Sequence, residues 1–330
     1  MAQKTKTAVV LFNLGGPDSL EAIKPFLFNL FYDPAIIMLP NPLRWLVAKL
    51  ISSRRAPIAR DIYRQIGNRS PLLAQTRDQA AALEKRLNER GEGRYKCFIA
   101  MRYWHPLSAQ TVTEVKQYAP DEVVLLPLYP QYSVTTTGSS LLEWTREAQK
   151  AGLEVPVRII RDYPTEEKFI TAHADLIRNA LTGLESLHSY RVLFSAHGLP
   201  KKVIEAGDPY QQQVEQTCAA IVAQLGEKYA DLDFVTCYQS RVGPLEWIGP
   251  NTEDEIERAG RDGKNLIVVP VAFVSEHSET LVELDIEYRE LAEKCGVGKY
   301  IRIPALYCHE RFIDGLAGLV NGKKNTPSKS

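Results

Sequence analysis

The sequence has few cysteines, no excess charge of either sign and no long uninterrupted apolar run. Its five cysteines among 330 residues form no CxxC pair, which argues against disulfides and against a cysteine-only zinc or iron–sulfur site. Lys plus Arg number 40 and Asp plus Glu number 40, so no global positive field is available to hold nucleic acid. We therefore expect a protein of a reducing compartment with no nucleic-acid partner.

Export and dinucleotide-binding signals are missing as well. The first apolar run, residues 7–14, is too short for the core of a secretory signal and leads into Gly15-Gly16-Pro17. We expect a first strand here and a cytoplasmic protein. No GxGxxG motif follows any predicted strand, which makes a phosphate-binding α/β enzyme a weak candidate.

Residues 26–51 are unusually apolar, but Pro34, Pro40, Pro42 and several charges interrupt them. A spanning helix needs about 20 consecutive apolar residues, so this segment does not cross a membrane. Two interpretations stay open. The segment forms two ordinary core helices, or it forms an apolar lip, extending to about residue 55, that touches the bilayer interface or covers an apolar ligand.

What the sequence does contain is a regular alternation of short β-branched runs with stretches of helical period. Hydrophobic residues make up 45% of the chain and charged residues 24%, as in folded α/β proteins. Eight runs predict strands, at residues 9–14, 98–101, 122–128, 157–161, 191–196, 234–237, 265–272 and 300–303. Continuous apolar strands indicate parallel sheets covered on both faces, and eight of them divide into two four-stranded units.

Unusual residues collect where these strands end. The ends read LGGP at Leu14, RYWHP at Arg102, LYPQYS at Leu128, SAHGLP at Ser195 and FVSEHSE at Phe273. Ligands of open parallel sheets bind beyond the carboxyl ends of the strands, so we expect these loops to meet at one aromatic cleft.

His197 is placed for chemistry. It follows a predicted strand and precedes a glycine and a proline, and a rigid imidazole at a strand end is suited to bind a metal or to accept a proton near neutral pH. A histidine that merely satisfies loop carbonyls is the plainer alternative.

Three glutamates recur every four residues, at Glu279, Glu283 and Glu287. On a regular α-helix this spacing stacks carboxylates along one face, with a drift of about 40° per step. A solvated acidic face is the usual meaning of such a row. Because this one begins beside the very apolar strand at 265–272, it also suits the passage of protons or hard divalent cations away from a buried centre.

A group of arginines surrounds Tyr63, among them Arg55. Guanidinium groups match carboxylates geometrically, so a ligand with propionate-like or phosphate groups fits this region. A basic helix face without a specific ligand is the alternative.

These motifs together resemble the ferrochelatase family, whose members insert Fe²⁺ into a porphyrin. The resemblance runs nearly end to end, and the segments that carry it include LFNLGGPDSLEAIKPFLFNLFYDP, RRAPIARDIYRQIGNRSPL, MRYWHPL, LPLYPQYSVTTTGSS, LFSAHGLP, YQSRVGPLEWIGP and VPVAFVSEHSETLVELDIEY. It implies two similar Rossmann-like domains with the porphyrin cleft between them, and a final helix that returns to the first domain. It also favours the protoporphyrin-using branch over the coproporphyrin-using branch.

The resemblance implies roles for particular residues. His197 and Glu279 match the pair that binds Fe²⁺, with the glutamate facing the histidine across the macrocycle and the histidine also accepting pyrrole protons. His277, Glu283 and Glu287 match the neighbouring acidic path. The positions that match residues holding or lining the porphyrin are Arg55, Tyr63, Ser70, Arg102, Tyr129 and Trp247.

The expected reaction is insertion of Fe²⁺ into protoporphyrin IX with release of two protons, which forms protohaem. Fe²⁺ is a substrate, and no cofactor is required. Some family members hold a [2Fe-2S] cluster through an internal cysteine and a cysteine-rich extension, but here Val134 occupies the internal position and no cysteine follows Cys308, so no cluster is expected. Three alternatives stay open: a coproporphyrin III ferrochelatase, a Co²⁺ or Ni²⁺ chelatase for another tetrapyrrole, and a non-catalytic haem carrier.

The expected domains are residues 1–158 with 305–322, including the lip and the returning helix, and residues 159–304, which carry His197 and Glu279. Residues 323–330 are expected to be a disordered tail. Peripheral membrane contact through residues 26–51 and a homodimer both stay open.

Overall fold

A computed structural model describes residues 4–89, 91, 93–241 and 245–322, so the predicted tail at 323–330 lies outside the described residues. All eight predicted strands are present. They are β1 (Lys6–Asn13), β2 (Arg94–Met101), β3 (Glu122–Pro127), β4 (Val157–Ile159), β5 (Tyr190–His197), β6 (Asp233–Gln239), β7 (Asn265–Pro270) and β8 (Tyr300–Arg302).

The strands form two four-stranded parallel sheets with the orders β2-β1-β3-β4 and β6-β5-β7-β8. The predicted fold class is confirmed. The central strands are fully buried, as their continuous apolar runs require. The largest error in a predicted strand boundary is at β2, which begins four residues before the predicted Phe98. The first half of this edge strand alternates between exposed and half-buried residues, so it does not form the continuous apolar run on which the prediction was based.

Helices cover both sheets. The α-helices are α1 (Ile23–Phe31), α2 (Leu43–Arg64), α3 (Leu72–Glu89), α4 (Ser108–Tyr118), α5 (Ser139–Ala151), α6 (Glu167–Leu181), α7 (Lys201–Glu205), α8 (Tyr210–Leu225), α9 (Thr252–Arg261), α10 (Tyr288–Lys294) and α11 (Glu310–Asn321). Two stretches, Val134–Gly138 and Glu279–Glu287, are π-helices, in which the backbone bonds widen to i→i+5.

The apolar segment at 26–51 is not a pair of core helices. α1 buries Ile23, Phe26 and Leu27, but the following turn and the first half of α2 leave large apolar side chains in solvent. The exposed ones in this stretch are Ile36, Met38, Leu39, Leu43, Trp45, Leu46 and Leu50. Within the part of the chain that the structure describes, no helix combines the length and apolarity needed to cross a bilayer.

The C-terminal helix α11 joins the two halves of the molecule. It packs against both α3 and α6, with Phe312 buried in the shared core. Arg86 of α3 bonds Glu310 at 3.1 Å, and Arg311 bonds Asp175 of α6 at 2.7 Å. The helix therefore contacts the first half, as expected, and the second half equally. The division into 1–158 with 305–322 and 159–304 stays a prediction.

The two halves repeat one plan. The third strand of each sheet ends at a proline, and the register pairs Phe12 with Pro127 and Ser195 with Pro270. Two residues beyond these pairs lie Leu14 in the first half and His197 in the second. In each half, a π-helix follows the third strand.

Candidate active site

His197 is the last residue of β5, in a position fixed by the adjoining turn. The Gly198 N–H donates to the Gln239 carbonyl at 2.8 Å. A Cβ at Gly198 would lie 3.0 Å from that carbonyl and 3.2 Å from the Trp247 ring. The absence of a side chain at Gly198 thus allows β6 and the Trp247 indole to pack closely against this turn. The His197 imidazole is held at the carboxyl end of the second sheet.

Three side chains meet at this point. His197 Nδ1 lies 3.0 Å from Glu279 Oε2, and the same carboxylate oxygen lies 3.6 Å from His277 Nε2. The His277 ring packs against Phe273, with 4.7 Å between ring centroids. A carboxylate between two imidazoles supplies N and O ligands of the kind that bind divalent first-row metals.

This geometry corrects one expectation. A porphyrin between His197 and Glu279 would need about 7 Å, the sum of two van der Waals contacts. The two side chains are instead in direct contact at 3.0 Å, so they lie on one side of the cleft. Both belong to the second sheet, His197 at the end of β5 and Glu279 after β7, and β5 and β7 are neighbours.

His197 and Glu279 shift each other's pKa in opposite directions. Burial alone would lower the pKa of His197, but the adjacent carboxylates of Glu279 and Glu283 raise it above its usual range. Burial likewise opposes ionisation of Glu279, yet His197 and His277 hold the pKa of that carboxyl well below its usual range. The imidazole is therefore a stronger base than a free histidine, and the glutamate stays ionised.

Glu283 lies one step further along the π-helix and is not a solvated surface charge. Its Oε2 accepts hydrogen bonds from Gln239 at 3.1 Å and Ser240 at 2.5 Å, and its Oε1 accepts one from the Tyr288 hydroxyl at 3.0 Å. Burial, and then the charge of Glu279, raise its pKa above the usual range. Such a carboxyl takes up and gives back protons more readily near neutral pH than an exposed one.

The row ends at the surface. Glu287 is exposed, and its pKa is raised by partial burial and by the charges of Glu253 and Glu290. The structure therefore brings together His197, His277 and Glu279, with Glu283 near enough to raise the pKa of His197. Glu287 shares the π-helix with Glu279 and Glu283 but lies at the surface.

Tyr63 contacts the segment beside this centre from the first half of the chain, whereas Ser70 lies against the loop after β1. Tyr63, in the last turn of α2, is buried, and its hydroxyl accepts a hydrogen bond from Ser278 at 3.5 Å. Burial raises its pKa to about 12. Ser70 lies against the first loop so closely that a Cβ on Gly16 would come within 2.4 Å of its hydroxyl. Arg55 lies earlier on α2, is exposed, and forms no ion pair among the described residues.

Arg102 is committed to a partner within the protein. Its guanidinium pairs with Asp33 at 2.8 Å and donates to Ser139 at 2.6 Å. Tyr103 also donates to Asp33, at 2.8 Å, and the Asp33 side chain is only 1% exposed. Arg102 therefore connects the turn after α1 to the first sheet. Because its guanidinium is already paired with Asp33, it is less available to bind a propionate directly.

The two aromatic candidates lie at different strand ends. Tyr129 follows β3, and burial raises the pKa of its hydroxyl above the usual range. Trp247 pairs with Pro200 and packs over Gly198, next to His197. It also lines two surface cavities of about 200 and 440 Å³. Trp247 is thus close to His197, whereas Tyr129 follows a strand of the other sheet.

Sequence reasoning missed the residues that hold Glu283 and Arg102 in place. Gln239 and Ser240 follow a predicted strand, and their position at the expected cleft follows from that, but nothing in the local pattern assigns them to Glu283. Asp33 stands in the motif YDP, where a buried carboxylate has no local signature.

Solved structures share this fold. SirB from Bacillus subtilis, determined with Fe³⁺, superposes with a TM-score of 0.56 at 12% identity over 96% of this chain and 94% of SirB. DR2241 from Deinococcus radiodurans, whose structure is described as similar to chelatases, gives a TM-score of 0.53 at 13% identity over 96% of this chain and 55% of its own.

Sequence comparison is more specific. The model of the Ferrochelatase family matches residues 6–324. The ferrochelatase of Caulobacter vibrioides is 55% identical over 96% of this chain and 89% of its own, and that of Rickettsia bellii is 53% identical over 96% and 87%. The chain belongs to the ferrochelatase family, and its predicted function as a ferrochelatase and its class as a metal chelatase enzyme are confirmed.

Proposed function

We propose that this protein inserts Fe²⁺ into protoporphyrin IX, with His197 as the base and Glu279 as the metal-binding partner. The observation that carries the proposal is the 3.0 Å contact between these side chains at the end of a row of carboxylates that reaches solvent. Two pyrrole N–H protons must leave as the metal enters, so the site needs a base, a metal ligand and an exit route. The carboxylate of Glu279 and the imidazoles of His197 and His277 supply the first two.

Glu283 and Glu287 provide the route by which the pyrrole protons leave the site. Glu283, with its raised pKa, accepts a proton from the His197 and Glu279 pair, and exposed Glu287 passes it to water. The porphyrin is held from the first half of the chain by Tyr63 and Ser70, with Arg55 placed to receive a propionate. Arg102, Tyr129 and Trp247 line the pocket around it.

An anaerobic insertion assay tests this assignment. Loss of free-porphyrin fluorescence is followed for protoporphyrin IX and coproporphyrin III with Fe²⁺, Co²⁺ or Ni²⁺. We expect Fe²⁺ and protoporphyrin IX to be preferred and His197→Ala to lose activity by about 10²–10⁴-fold, as removal of a general base does. His188→Ala, at an exposed histidine, is the matched control.

The same assay separates the alternatives. Preference for coproporphyrin III, or for Co²⁺ or Ni²⁺, would assign the chain to another substrate within the family. Tight porphyrin binding without insertion by the unmodified protein would indicate a haem carrier and withdraw the roles given to the three glutamates.

We further propose that no [2Fe-2S] cluster is present. Val134, at the position of the cluster cysteine in other family members, begins the π-helix after β3, and its side chain is exposed. All five cysteines are free thiols, and the last is Cys308. A visible absorption spectrum of the purified protein that showed iron–sulfur bands would contradict this.

The exposed apolar residues of the lip support peripheral contact of a cytoplasmic protein with a membrane. Leu43, Leu46 and Leu50 recur at helical spacing on α2, with Arg44 and Lys49 beside them, as in interfacial helices. Leu46→Asp should reduce sedimentation with anionic vesicles, whereas Leu142→Asp, at a still more exposed leucine of α5, should not. A dimer in solution that Leu46→Asp dissociates would show that a second copy covers this face instead.

A further inference from the structure

Helix α3 carries a side-chain amide, that of Gln79, in the middle of its buried face. The buried residues of this helix are Leu72, Thr76, Gln79, Ala80, Leu83 and Leu87, and Gln79 is 0% exposed. Burying a side-chain amide is costly unless its donors and acceptor are all paired. The partners of Gln79 therefore show what this position has to hold.

All of its partners belong to the second half of the chain. Gln79 Nε2 donates to the Val274 carbonyl at 2.9 Å and to the Tyr307 carbonyl at 3.1 Å, and Oε1 accepts from the Ser275 hydroxyl at 3.0 Å. A single amide thus fastens two separate segments, the loop after β7 and the connection from β8 to α11.

A second glutamine extends the contact by one residue. Gln75, one turn earlier on α3, accepts the Glu276 N–H at 2.8 Å through Oε1. Within the second half, Glu276 also pairs with Arg302 at 2.7 Å. Residues 274–276 are therefore held by two α3 side chains on one side and by β8 on the other.

This loop leads directly into the site. His277 and Glu279 follow it by one and three residues, and at the other end α3 begins two residues after Ser70. The helix thus connects a residue assigned to the porphyrin with the loop that presents Glu279. We infer that Gln79 is a positioning residue that sets where Glu279 and His277 stand relative to the bound porphyrin.

This inference rests on the proposed function, and one pair of variants tests it. Gln79→Leu removes all three hydrogen bonds at similar volume, while Leu83→Ala, one turn later on the same buried face, weakens the packing of α3 and removes no hydrogen bond to the loop. A misplacement of about 1 Å at a catalytic group costs on the order of 10²-fold in rate. We expect Gln79→Leu to lower kcat by about 10–100-fold and to raise the KM for Fe²⁺, with the Kd for porphyrin within about threefold of the unmodified protein.

Hydrogen exchange gives a readout that does not depend on activity. In Gln79→Leu the amides of 274–280 should exchange at least about tenfold faster, and in Leu83→Ala, studied at a temperature where both variants are folded, they should not. Equal kinetic losses in both variants, or unchanged exchange in Gln79→Leu, would show a purely structural role and overturn the inference.

The two proposals fail in different ways. If the unmodified protein inserts no metal, the proposed function fails, while the exchange of 274–280 still decides whether Gln79 holds the loop. Should Gln79→Leu not fold, Gln75→Leu at the half-buried rim of the same contact is expected to give the same changes to a smaller degree. Normal exchange and kinetics in that variant would then overturn the inference.

Discussion

The hydroxyl of Tyr288 donates a hydrogen bond to Glu283 Oε1 at 3.0 Å, across the junction of the π-helix and α10. A donor of this kind stabilises the ionised carboxylate. Burial and the charge of Glu279 have the opposite effect, because both raise the pKa of Glu283. The pKa of Glu283 is thus set by opposing contacts, so the direction in which it shifts when one contact is removed can be predicted.

Tyr288→Phe should raise the pKa of Glu283 further, because one hydrogen bond to the anion is lost. The limb of the pH–rate profile that requires ionised Glu283 should move to higher pH. Tyr300→Phe is the matched control, since the Tyr300 hydroxyl donates to the Leu284 carbonyl of the same π-helix and not to a carboxylate. A profile that shifts equally in both variants would contradict this role.

Glu283→Gln should slow turnover by about 10²-fold and leave the affinity for porphyrin nearly unchanged, because the amide keeps the shape of the side chain but carries no exchangeable charge. Steady-state insertion rates and fluorescence titration of porphyrin measure the two quantities. Glu257→Gln, on the exposed face of α9, should behave as the unmodified protein. Loss of porphyrin binding with normal turnover is the opposite of the expected result.

Asp33→Ala should destabilise the fold by about 3–5 kcal/mol, because it leaves the Arg102 guanidinium buried and unpaired. The two side chains are only 1% and 15% exposed. Asp61→Ala breaks an ion pair with Arg64 in which both side chains are more than half exposed, and it should cost less than about 1 kcal/mol. Urea unfolding of both variants tests the difference, and equal losses would rule out the buried pair as a major contributor.

His173 makes the fold sensitive to acid. Its ring is fully buried against Phe169, and neither ring nitrogen has a hydrogen-bond partner among the residues that the structure describes. Burial, and then His309, lower its pKa to about 3. Below about pH 6.5 the unfolded chain binds a proton that the folded chain does not, so stability falls by up to about 1.4 kcal/mol per pH unit as the pH drops from 6.5 towards 3.

His173→Phe should reduce that slope, and His188→Phe, at an exposed histidine, should not. Unfolding free energies at pH 7 and pH 5 provide the measurement. If the slope is unchanged in His173→Phe, other groups account for the acid sensitivity.

Local patterns predicted the parts of this molecule that depend on local physics. Continuous apolar runs predicted all eight strands, and the glycine and proline after His197 predicted its position at the end of a strand. Contacts between distant residues could not be predicted in this way. The hydroxyl of Tyr103 reaches Asp33 across 70 positions and Gln79 reaches Val274 across 195, and no periodicity in the sequence relates such pairs.

The repeated plan of the two sheets has a consequence for how substitutions are tolerated. Leu14 and His197 occupy equivalent positions, two residues beyond the pairs that Phe12 and Ser195 form with the terminal prolines of the third strands. The same backbone position thus accepts an apolar side chain in one copy and an ionisable one in the other. Under the proposed function, this position needs an imidazole only in the second copy, whereas in the first copy it needs only a side chain that is compatible with the strand end.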